Sequence, residues 1–405
     1  MRASTYPLVE AGEAAALVLE RTPVLTGEDV HLAEAVGRVL VGDLVAPGDL
    51  PPFPSSAVDG YAIRAADAGA RLRVAGESAA GRPFEGALPA GAAAMILTGG
   101  VVPTGADTVV MVEEVEAGDS WVVVPAGFPA GRNFHRPGDD LRRGDVVVSR
   151  GQALGPAELG LSAAIGAARL HVHRRPRVAL MSTGDELIEV GQAPGPGQVV
   201  DSNRWALLAA LQEAGASVTQ LGVAPDQPEA LTELVTDALE GHDVLLTSGG
   251  VSVGSHDLVK PLLERLGEVH LGRVKLRPGK PFTFATLPGG RVAFGLPGFP
   301  VSSLITFEVF VRPALRKMQG YAQLQRPTLP ARLGYDARAP ADRTEYQRVT
   351  LSREGGELVA RSTGSQSSSR LMSLSGANAL VRVPPGGEGI PAGALVEAVV
   401  LSLPA

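Results

Sequence analysis

Short apolar runs alternate with helical patterns along residues 176–320, and this alternation constrains the fold more than any other feature of the sequence. The strand-like runs include RVALMSTG and DVLLTSGG, and the helical patterns include SNRWALLAALQEAG and PEALTELVTDALEG. Strands that alternate with helices at this spacing predict a doubly wound α/β sheet. Right-handed crossovers then place the carboxyl ends of the strands, and the glycine-rich loops that follow them, along one edge of the sheet.

Two helices of this region carry more specific expectations. Ser202 or Asn203 is expected to cap the helix of SNRWALLAALQEAG with its side chain. The segment PVSSLITFEVFVRPALRKM is expected to form one long closing helix.

The regions on either side of this α/β segment have different patterns. Short runs rich in Val and Arg, separated by turns, predict a small all-β domain at the C-terminal end. Short Gly- and Pro-punctuated strands predict a β-rich domain inserted into an elongated N-terminal domain, which has helical patterning over 8–40 and over 151–168. The expected domains are 1–46 with 140–175, the insertion 47–139, the α/β domain 176–326 and the β domain 327–405.

The composition excludes several classes of protein. The 405 residues exceed one ordinary domain, and 45% of them are hydrophobic, which is enough to bury several cores. A net charge of −7 argues against general nucleic-acid binding, and no apolar run is long enough to span a bilayer. The chain has no cysteine, so a metal would take oxygen or imidazole ligands, which favours Mg²⁺. We therefore expect a cytoplasmic protein that binds neither nucleic acid nor membrane.

The segment DVLLTSGGVSVGSHDLVK leaves a buried strand through two glycine turns before a helix begins. This geometry exposes backbone N–H groups and commonly holds an anion. Asp257 begins the helix, where a capping carboxylate and a metal ligand beside a bound phosphate are equally consistent with the spacing. The residues expected to line the turn are Ser248, Gly249, Gly250, Ser252 and Ser255.

Acidic residues gather at the same predicted edge of the sheet. Glu186 follows the first strand, Asp226 follows the second, and Asp257 follows the third. Each of them taken alone is consistent with a charge at a helix terminus. Together with Lys260 and Lys280, they favour a Mg²⁺ site beside a phosphate-bearing ligand.

Lysines are rare and unevenly placed. Of 36 basic residues four are lysines, and Lys260, Lys275 and Lys280 lie close together in the sequence. This clustering indicates a compact ammonium beside an anion, with chance as the alternative. Arg277 and Lys280 flank a Pro-Gly turn and can direct two positive charges to one point. Ser302 precedes a helix in PGFPVSS, where it either caps the helix or contacts an anion.

The N-terminal region carries further polar loops. Asp59 in SAVDGYAIR is a turn residue by default, and Thr98 lies in LTGG, a second hydroxyl-glycine-glycine segment. Asp139 and Asp140 surround a turn near His135. The spacing of these residues supports neither a hydrolytic triad nor an HExxH zinc site.

A set of motifs runs in order along nearly the whole chain: SAVDGYAIR, PTGADTVVMVEE, GDDL, STGDEL, TSGGVSVGSHD, RPGKPF, PGFPVSS and STGSQSSSRLMSLSGANAL. Taken together and in this order, these segments resemble one family, the molybdopterin molybdenumtransferases (the MoeA / gephyrin E-domain family). The resemblance implies an enzyme that inserts molybdate into adenylated molybdopterin with Mg²⁺ assistance, releasing AMP and molybdenum cofactor.

The resemblance also implies the quaternary arrangement and the partners. The family's central domain has the molybdopterin adenylyltransferase fold, and its elongated four-domain subunits form a homodimer with an active site shared between subunits. A molybdopterin adenylyltransferase would deliver the substrate, and molybdoenzyme apoproteins would receive the product.

The functional residues of the family are carried over by motif position. Its acids and threonine fall on Asp59, Thr98, Asp140, Glu186, Asp226 and Asp257, with Glu186 and Asp257 at the metal. In the family, Asp59 and Thr98 act on the α/β pocket of the other subunit. Its molybdate-contacting positions fall on Arg277, Lys280, Ser302, Arg348 and Ser368.

Two positions depart from the family pattern. Arg277 stands where the family usually has lysine, which keeps the charge but not the compact shape. Phe299 stands where the family usually has asparagine, which removes a polar side chain from the loop. Both departures bear on how the oxyanion and the pterin would bind.

Two other functions are alternatives. An adenylyltransferase acting on molybdopterin would share the central fold and would turn over ATP. A non-catalytic, gephyrin-like scaffold would tolerate the loss of Asp257.

Overall fold

The computed structural model describes residues 6–224, 227–250 and 258–402. Within the N-terminal part, 3₁₀ turns occur at Leu32–Glu34, Ala65–Asp67 and Val112–Glu114. In chain order its other elements are β1 (Val9–Glu10), α1 (Ala11–Arg21), β2 (Gly27–His31), β3 (Leu44–Val45), β4 (Ser55–Ser56), β5 (Gly60–Ile63), β6 (Arg71–Ser78), β7 (Ala92–Ile96), β8 (Thr108–Met111), β9 (Glu116–Gly118), β10 (Trp121–Val123), β11 (Phe134–His135), β12 (Val146–Val148), α2 (Pro156–Ala164) and β13 (Arg169–His173).

The helix expected within residues 8–40 is confirmed at α1. The expectation is wrong for residues 27–31, which form a strand. Residues 27–31 form β2, which pairs with β13 in an antiparallel register from Gly27 with His173 to His31 with Arg169. The ladder uses backbone groups that a helix would need, so the distant partner strand overrides the local pattern.

The inserted β-rich segment forms its own six-stranded sheet in the order β8-β5-β7-β6-β10-β9. Its core contains Tyr61, Ile63, Val110 and Val122. The chain enters and leaves this sheet through the short pairs of β3 with β12 and β4 with β11. Asp59 lies directly before β5 and Thr98 shortly after β7, so the sheet brings them to one edge.

The central segment forms the predicted α/β sheet with helices on both faces. Its strands are β14 (Arg177–Thr183), β15 (Leu187–Ile188), β16 (Val199–Val200), β17 (Ser217–Ala224), β18 (Val244–Ser248), β19 (Glu268–Arg277), β20 (Pro281–Leu287) and β21 (Arg291–Leu296). Its helices are α3 (Asn203–Glu213), α4 (Pro228–Gly241), α5 (Val259–Leu266), α6 (Pro300–Thr306) and α7 (Arg312–Met318). One apolar core joins α3, α6 and α7 to the sheet, and a second joins α4 and α5 to the opposite face.

The strand order of this sheet is β17-β14-β18-β21-β20-β19. The first four strands are parallel, and β20 runs antiparallel to both of its neighbours. The doubly wound prediction is therefore confirmed for the parallel half, and the sheet is mixed beyond it.

Two local expectations need correction. Neither Ser202 nor Asn203 caps α3 with its side chain. Asp201 Oδ1 accepts the N–H of Arg204 instead, and the Asn203 amide donates to Ser248. The expected closing helix is present over 300–318, but a π-helical segment at Phe307–Val311 lies between α6 and α7.

The C-terminal segment forms the expected small β domain around a separate core that includes Leu333, Val349 and Val381. It continues the central sheet, because β19 pairs with β23 in parallel. A 3₁₀ turn spans Leu371–Ser373. None of the helices in the described part of the chain is long and apolar enough to cross a membrane. The strands are β22 (Thr328–Leu333), β23 (Thr344–Glu354), β24 (Glu357–Ser362), β25 (Ala379–Val383) and β26 (Leu395–Val400).

Candidate functional site

Three strand ends meet in a wall of bare backbone, formed by Thr183, the turn Ser248–Gly250 and Gly298. β14, β18 and β21 are neighbouring parallel strands, so their carboxyl ends lie side by side. A methyl group added to Gly249 would lie 2.3 Å from the carbonyl oxygen of Thr183, and one added to Gly250 would lie 2.5 Å from Thr183 Oγ1. Both glycines have positive φ, +89° and +66°. The wall therefore requires glycine for its conformation and for its space.

The backbone donors of this wall are partly occupied. The N–H of Gly249 donates to the carbonyl of Leu296 at 3.0 Å. The expectation that this N–H points outward to hold an anion is wrong, because the turn uses it to join β18 to β21. Side-chain hydroxyls and the remaining backbone of the turn are the other donors of the wall.

Asn203 joins two parts of the wall. Its Nδ2 donates to Ser248 Oγ at 2.8 Å and to the carbonyl oxygen of Gly298 at 2.7 Å. The amide therefore ties the end of β18 to the loop after β21. Sequence reasoning gave Asn203 a capping role alone. The signal that it missed was the position of a polar residue at the start of a helix on the same sheet edge.

Several polar atoms of this edge are buried and have no hydrogen-bond partner within the described residues. They are Ser182 Oγ, Thr183 Oγ1, Thr247 Oγ1 and Asn203 Oδ1. Nearly all buried polar groups in folded proteins are paired with protein, water or a ligand. Their concentration at the carboxyl ends of parallel strands indicates a place for a polar ligand or ordered water.

The predicted acidic set is only partly described. Glu186 is exposed in the loop after β14, and its carboxylate folds over Gly184, where an added methyl group would lie 2.7 Å from Oε2. Asp226, Ser252 and Asp257 lie outside the described residues. Among the residues that are described, no three Asp, Glu or His side chains form a group able to bind a metal.

The three clustered lysines have different surroundings. Lys275 Nζ binds Glu10 Oε1 at 2.5 Å, and this ion pair raises the pKa of Lys275. Lys260, in the first turn of α5, lies with its Nζ 5.7 Å from the centre of the Tyr6 ring. Lys280 is exposed in the turn between β19 and β20. For Lys275, the clustering reflects a fold contact with β1 rather than a charge held beside a bound anion.

Arg277 ends β19 and faces the C-terminal domain. Its Nε lies 3.2 Å from Oε1 of the buried Glu345, which begins β23 together with Thr344. Gln347 Nε2 donates to the other carboxylate oxygen of Glu345 at 2.9 Å. Arg277 is thus half-exposed and held by a fixed carboxylate at the junction of two domains.

Arg348 lies in β23 and is completely buried. Its Nε donates to Ser373 Oγ at 3.1 Å, and its second terminal nitrogen donates to the carbonyl oxygens of Ser365 and Ser367 at 3.3 and 3.2 Å. The remaining nitrogen has no partner within the described residues. Burial lowers the pKa of Arg348. These contacts make the guanidinium the anchor of the serine-rich loop over residues 363–370.

This serine-rich loop meets the beginning of α6. The N–H of Val301 donates to the carbonyl oxygen of Ser368 at 3.2 Å. Ser302 and Ser303 on the same turn are buried, and Ser303 Oγ has no partner in the described part of the chain. The serine-rich loop therefore links Arg348 to the turn of α6 that carries Ser302. Arg348 binds the loop carbonyls, and Ser368 of the same loop binds the N–H of Val301.

The N-terminal candidates lie in other elements. Asp59 Oδ1 accepts hydrogen bonds from the backbone N–H of Thr98 at 2.6 Å and from its hydroxyl at 2.8 Å. Asp140 is exposed in the turn after β11, and its N–H donates to the carbonyl oxygen of Leu50 at 3.0 Å. The described hydrogen bonds of these residues all lie within the N-terminal part.

Three family descriptions match the chain in consecutive segments. Residues 9–166 match "MoeA N-terminal region (domain I and II)", residues 179–317 match "Probable molybdopterin binding domain", and residues 330–401 match "MoeA C-terminal region (domain IV)".

Individual proteins are similar to this chain in sequence over most of its length. "Molybdopterin molybdenumtransferase" of Haemophilus influenzae is 36% identical over 88% of this chain and 89% of its own length. "Gephyrin" of Dictyostelium discoideum is 34% identical over 99% of this chain, which spans 63% of that protein. The solved structure of a molybdopterin biosynthesis MoeA protein from Pyrococcus horikosii is similar with a TM-score of 0.85. That structure shares 32% identity, and the similarity covers 98% of this chain and 100% of the other.

Proposed function

The chain belongs to the molybdopterin molybdenumtransferase family, and we propose that it inserts molybdate into adenylated molybdopterin, releasing AMP and molybdenum cofactor. The observation that carries this proposal is the wall at Thr183, Ser248–Gly250 and Gly298, together with the buried oxygens of the same sheet edge that have no partner among the described residues. A ligand reaches the main chain closely there and finds polar groups that need partners. The activity of the named relatives then selects the substrate.

The turn after β18 is proposed to bind the phosphoanhydride of adenylated molybdopterin. Since the N–H of Gly249 is occupied, the hydroxyls of Thr183 and Thr247 are among the described donors that support this role. A hydroxyl hydrogen rotates to suit its acceptor, so both side chains can donate to phosphate oxygens. Ser252 remains a predicted further donor.

Glu186 and Asp257 are proposed to be the residues that would hold Mg²⁺ beside the phosphate-bearing ligand. Mg²⁺ usually takes one or two carboxylates and completes its shell with water and substrate phosphates. An exposed Glu186 beside the wall fits such a site as one ligand, and Asp257 remains the predicted second. A bound Mg²⁺ would supply charge neutralisation for the phosphoanhydride.

The molybdate site is proposed to lie between the β19–β20 turn and α6. Lys280 supplies an exposed ammonium, whereas the charge of Arg277 is partly balanced by Glu345. Ser302 belongs to the helix turn that the serine-rich loop contacts. Positive charge fixed there would stabilise the oxyanion while the phosphoanhydride bond breaks and AMP leaves.

We further propose that the protein acts as a cytoplasmic homodimer. Thr98 already orients the Asp59 carboxylate through two hydrogen bonds. Both residues lie at strand ends of the inserted β-rich segment and outside the α/β domain. A partner subunit would let this oriented carboxylate complete the pocket of the other chain.

The test is AMP release from adenylated molybdopterin by the purified protein, with and without molybdate and Mg²⁺. We expect release that depends on both and is abolished by Asp257→Ala, with the exposed α4 change Asp237→Ala as the matched control. Absence of release by folded dimer would contradict the proposal. Turnover of ATP would instead support the adenylyltransferase alternative, and full release by Asp257→Ala would remove the assigned role of that residue.

A further inference from the structure

Asn203 has an amide whose orientation is fixed by its partners. A carbonyl oxygen only accepts hydrogen bonds, so the amide atom 2.7 Å from the Gly298 oxygen must be Nδ2. Nδ2 carries two hydrogens, and the contacts with Gly298 and Ser248 use both of them. The Asn203 side chain has therefore no donor left to offer.

The other amide atom, Oδ1, remains available as an acceptor. It is buried and has no partner within the described ranges. A group that meets it must donate a hydrogen bond, which phosphate and molybdate oxygens at neutral pH do not do. The chemistry of this oxygen thus selects a part of the ligand that carries an N–H or O–H donor over its anionic part.

An aromatic surface lies on the loop that Asn203 holds. Phe299 follows Gly298 directly and is 59% exposed. Its backbone is fixed, because its carbonyl oxygen accepts the N–H of Ser303 at 2.9 Å. Exposed aromatic rings on fixed backbone are suitable platforms for flat heterocycles.

We propose that Asn203 is a specificity-determining residue, whose Oδ1 accepts a hydrogen bond from an N–H group of the pterin ring beside Phe299. This inference rests on the proposed function and adds to it the residue that distinguishes the pterin from the anionic groups. The departure at Phe299 then replaces a polar contact by an aromatic one.

The experiment measures binding of two probes to the full chain by calorimetry under anaerobic conditions. The probes are molybdopterin, which carries the pterin, and AMP, which does not. Asn203→Ala should weaken molybdopterin binding roughly tenfold, the usual effect of losing one hydrogen bond in a buried site, while AMP binding changes less than about twofold. Phe299→Ala should also weaken molybdopterin binding selectively. Gln212→Glu, an exposed amide change on the same helix, is the matched control.

The outcomes separate the inference from the proposed function. If the wild-type chain binds molybdopterin and Asn203→Ala binds it equally well, the inference is overturned and the function stands. If Asn203→Ala loses both probes alike, Asn203 merely holds the loops together, and the inference is again overturned. If the wild-type chain binds no molybdopterin, the proposed function and the inference both fail. Thermal unfolding of each variant identifies a loss that comes from misfolding, and Asn203→Ser then provides the smaller change for the same comparison.

Discussion

Asp59 Oδ1 accepts two hydrogen bonds from Thr98, one from the backbone N–H and one from the side-chain hydroxyl. These two hydrogen bonds hold the pKa of the Asp59 carboxyl below its ordinary value of 3.8, and the bond from the backbone N–H has the larger effect. Because the folded-state pKa is the lower one, the stabilisation is present above pH 3.8 and is lost as pH falls through the lowered value. Asp59 is therefore charged and oriented across the neutral range.

Replacing Thr98 by valine removes the hydroxyl and keeps the backbone N–H. We expect the pKa of Asp59 to rise toward its ordinary value, and AMP release to fall because the carboxylate is less firmly oriented. Carbon-detected NMR titration of the carboxyl measures the first effect. Thr104→Val, an exposed threonine in the same segment, is the control. An unchanged pKa in Thr98→Val would show that the hydroxyl bond contributes nothing.

Arg348→Lys is expected to release the serine-rich loop. A lysine ammonium cannot reproduce the fork that reaches Ser373 and the two loop carbonyls together, so we expect a loss of about 2–3 kcal/mol in the free energy of unfolding. The apparent KM for molybdate should rise as well, since the loop contacts α6. Urea unfolding and AMP-release kinetics measure the two effects. Arg353→Lys, exposed on the same strand, should change neither; equal behaviour of both variants would refute the anchoring role.

Gly249→Ala tests the space in the backbone wall. An alanine there is strained by φ of +89° and also places its methyl group 2.3 Å from the Thr183 oxygen. Gly290 has a similar φ of +73°, but no atom of the described residues lies within 4 Å of an added methyl group. We expect Gly290→Ala to cost about 1 kcal/mol and Gly249→Ala at least about 2 kcal/mol more. Chemical denaturation measures both, and equal losses would mean that the wall yields to the added methyl group.

Asp243→Asn tests the opposite, amino-terminal end of β18. Burial alone would raise the pKa of Asp243, but the hydrogen bonds from Arg174, at 2.6 and 2.7 Å, and from the N–H of Arg177 outweigh it and lower the pKa. Since the folded-state pKa is the lower one, this stabilisation is present above the unfolded value and is lost as pH falls through the folded one. We expect the substitution to cost about 2 kcal/mol near neutral pH and less in acid.

Urea unfolding of Asp243→Asn between about pH 3 and 7 measures that difference. Asp237→Asn, an exposed change on α4, is the control. A loss of stability that does not shrink toward acid pH would contradict the assigned role of the charge.

The sequence pattern predicts the central sheet well because periodicity is local. β14, β18, α3 and α4 are each indicated by their own residues, and crossover handedness then places the loops. The pattern fails where a distant partner decides the structure. Residues 27–31 form a strand through pairing with residues 169–173, which no window around them contains.

The candidate site shows the same division. Gly249 and Gly250 identify the wall from the sequence, because glycine permits the positive φ and the close backbone approach that the turn requires. The occupied N–H of Gly249 and the link made by Asn203 depend on contacts with Leu296 and Gly298, about 50 or 95 residues away. Arg348 was expected to contact the substrate, and nothing in its neighbours along the chain indicates its complete burial.

The pairing of β19 with β23 has a mechanical consequence. Leu276 pairs with Thr344 and Arg277 pairs with Glu345 through main-chain hydrogen bonds, so the strands of the central and C-terminal domains form one continuous sheet. A hinge motion between the two domains at this pairing would have to break both the main-chain hydrogen bonds and the Arg277–Glu345 ion pair. The serine-rich loop lies outside this paired backbone and is held by hydrogen bonds from the Arg348 guanidinium and from the N–H of Val301, so a change in the loop would leave the β19–β23 pairing intact.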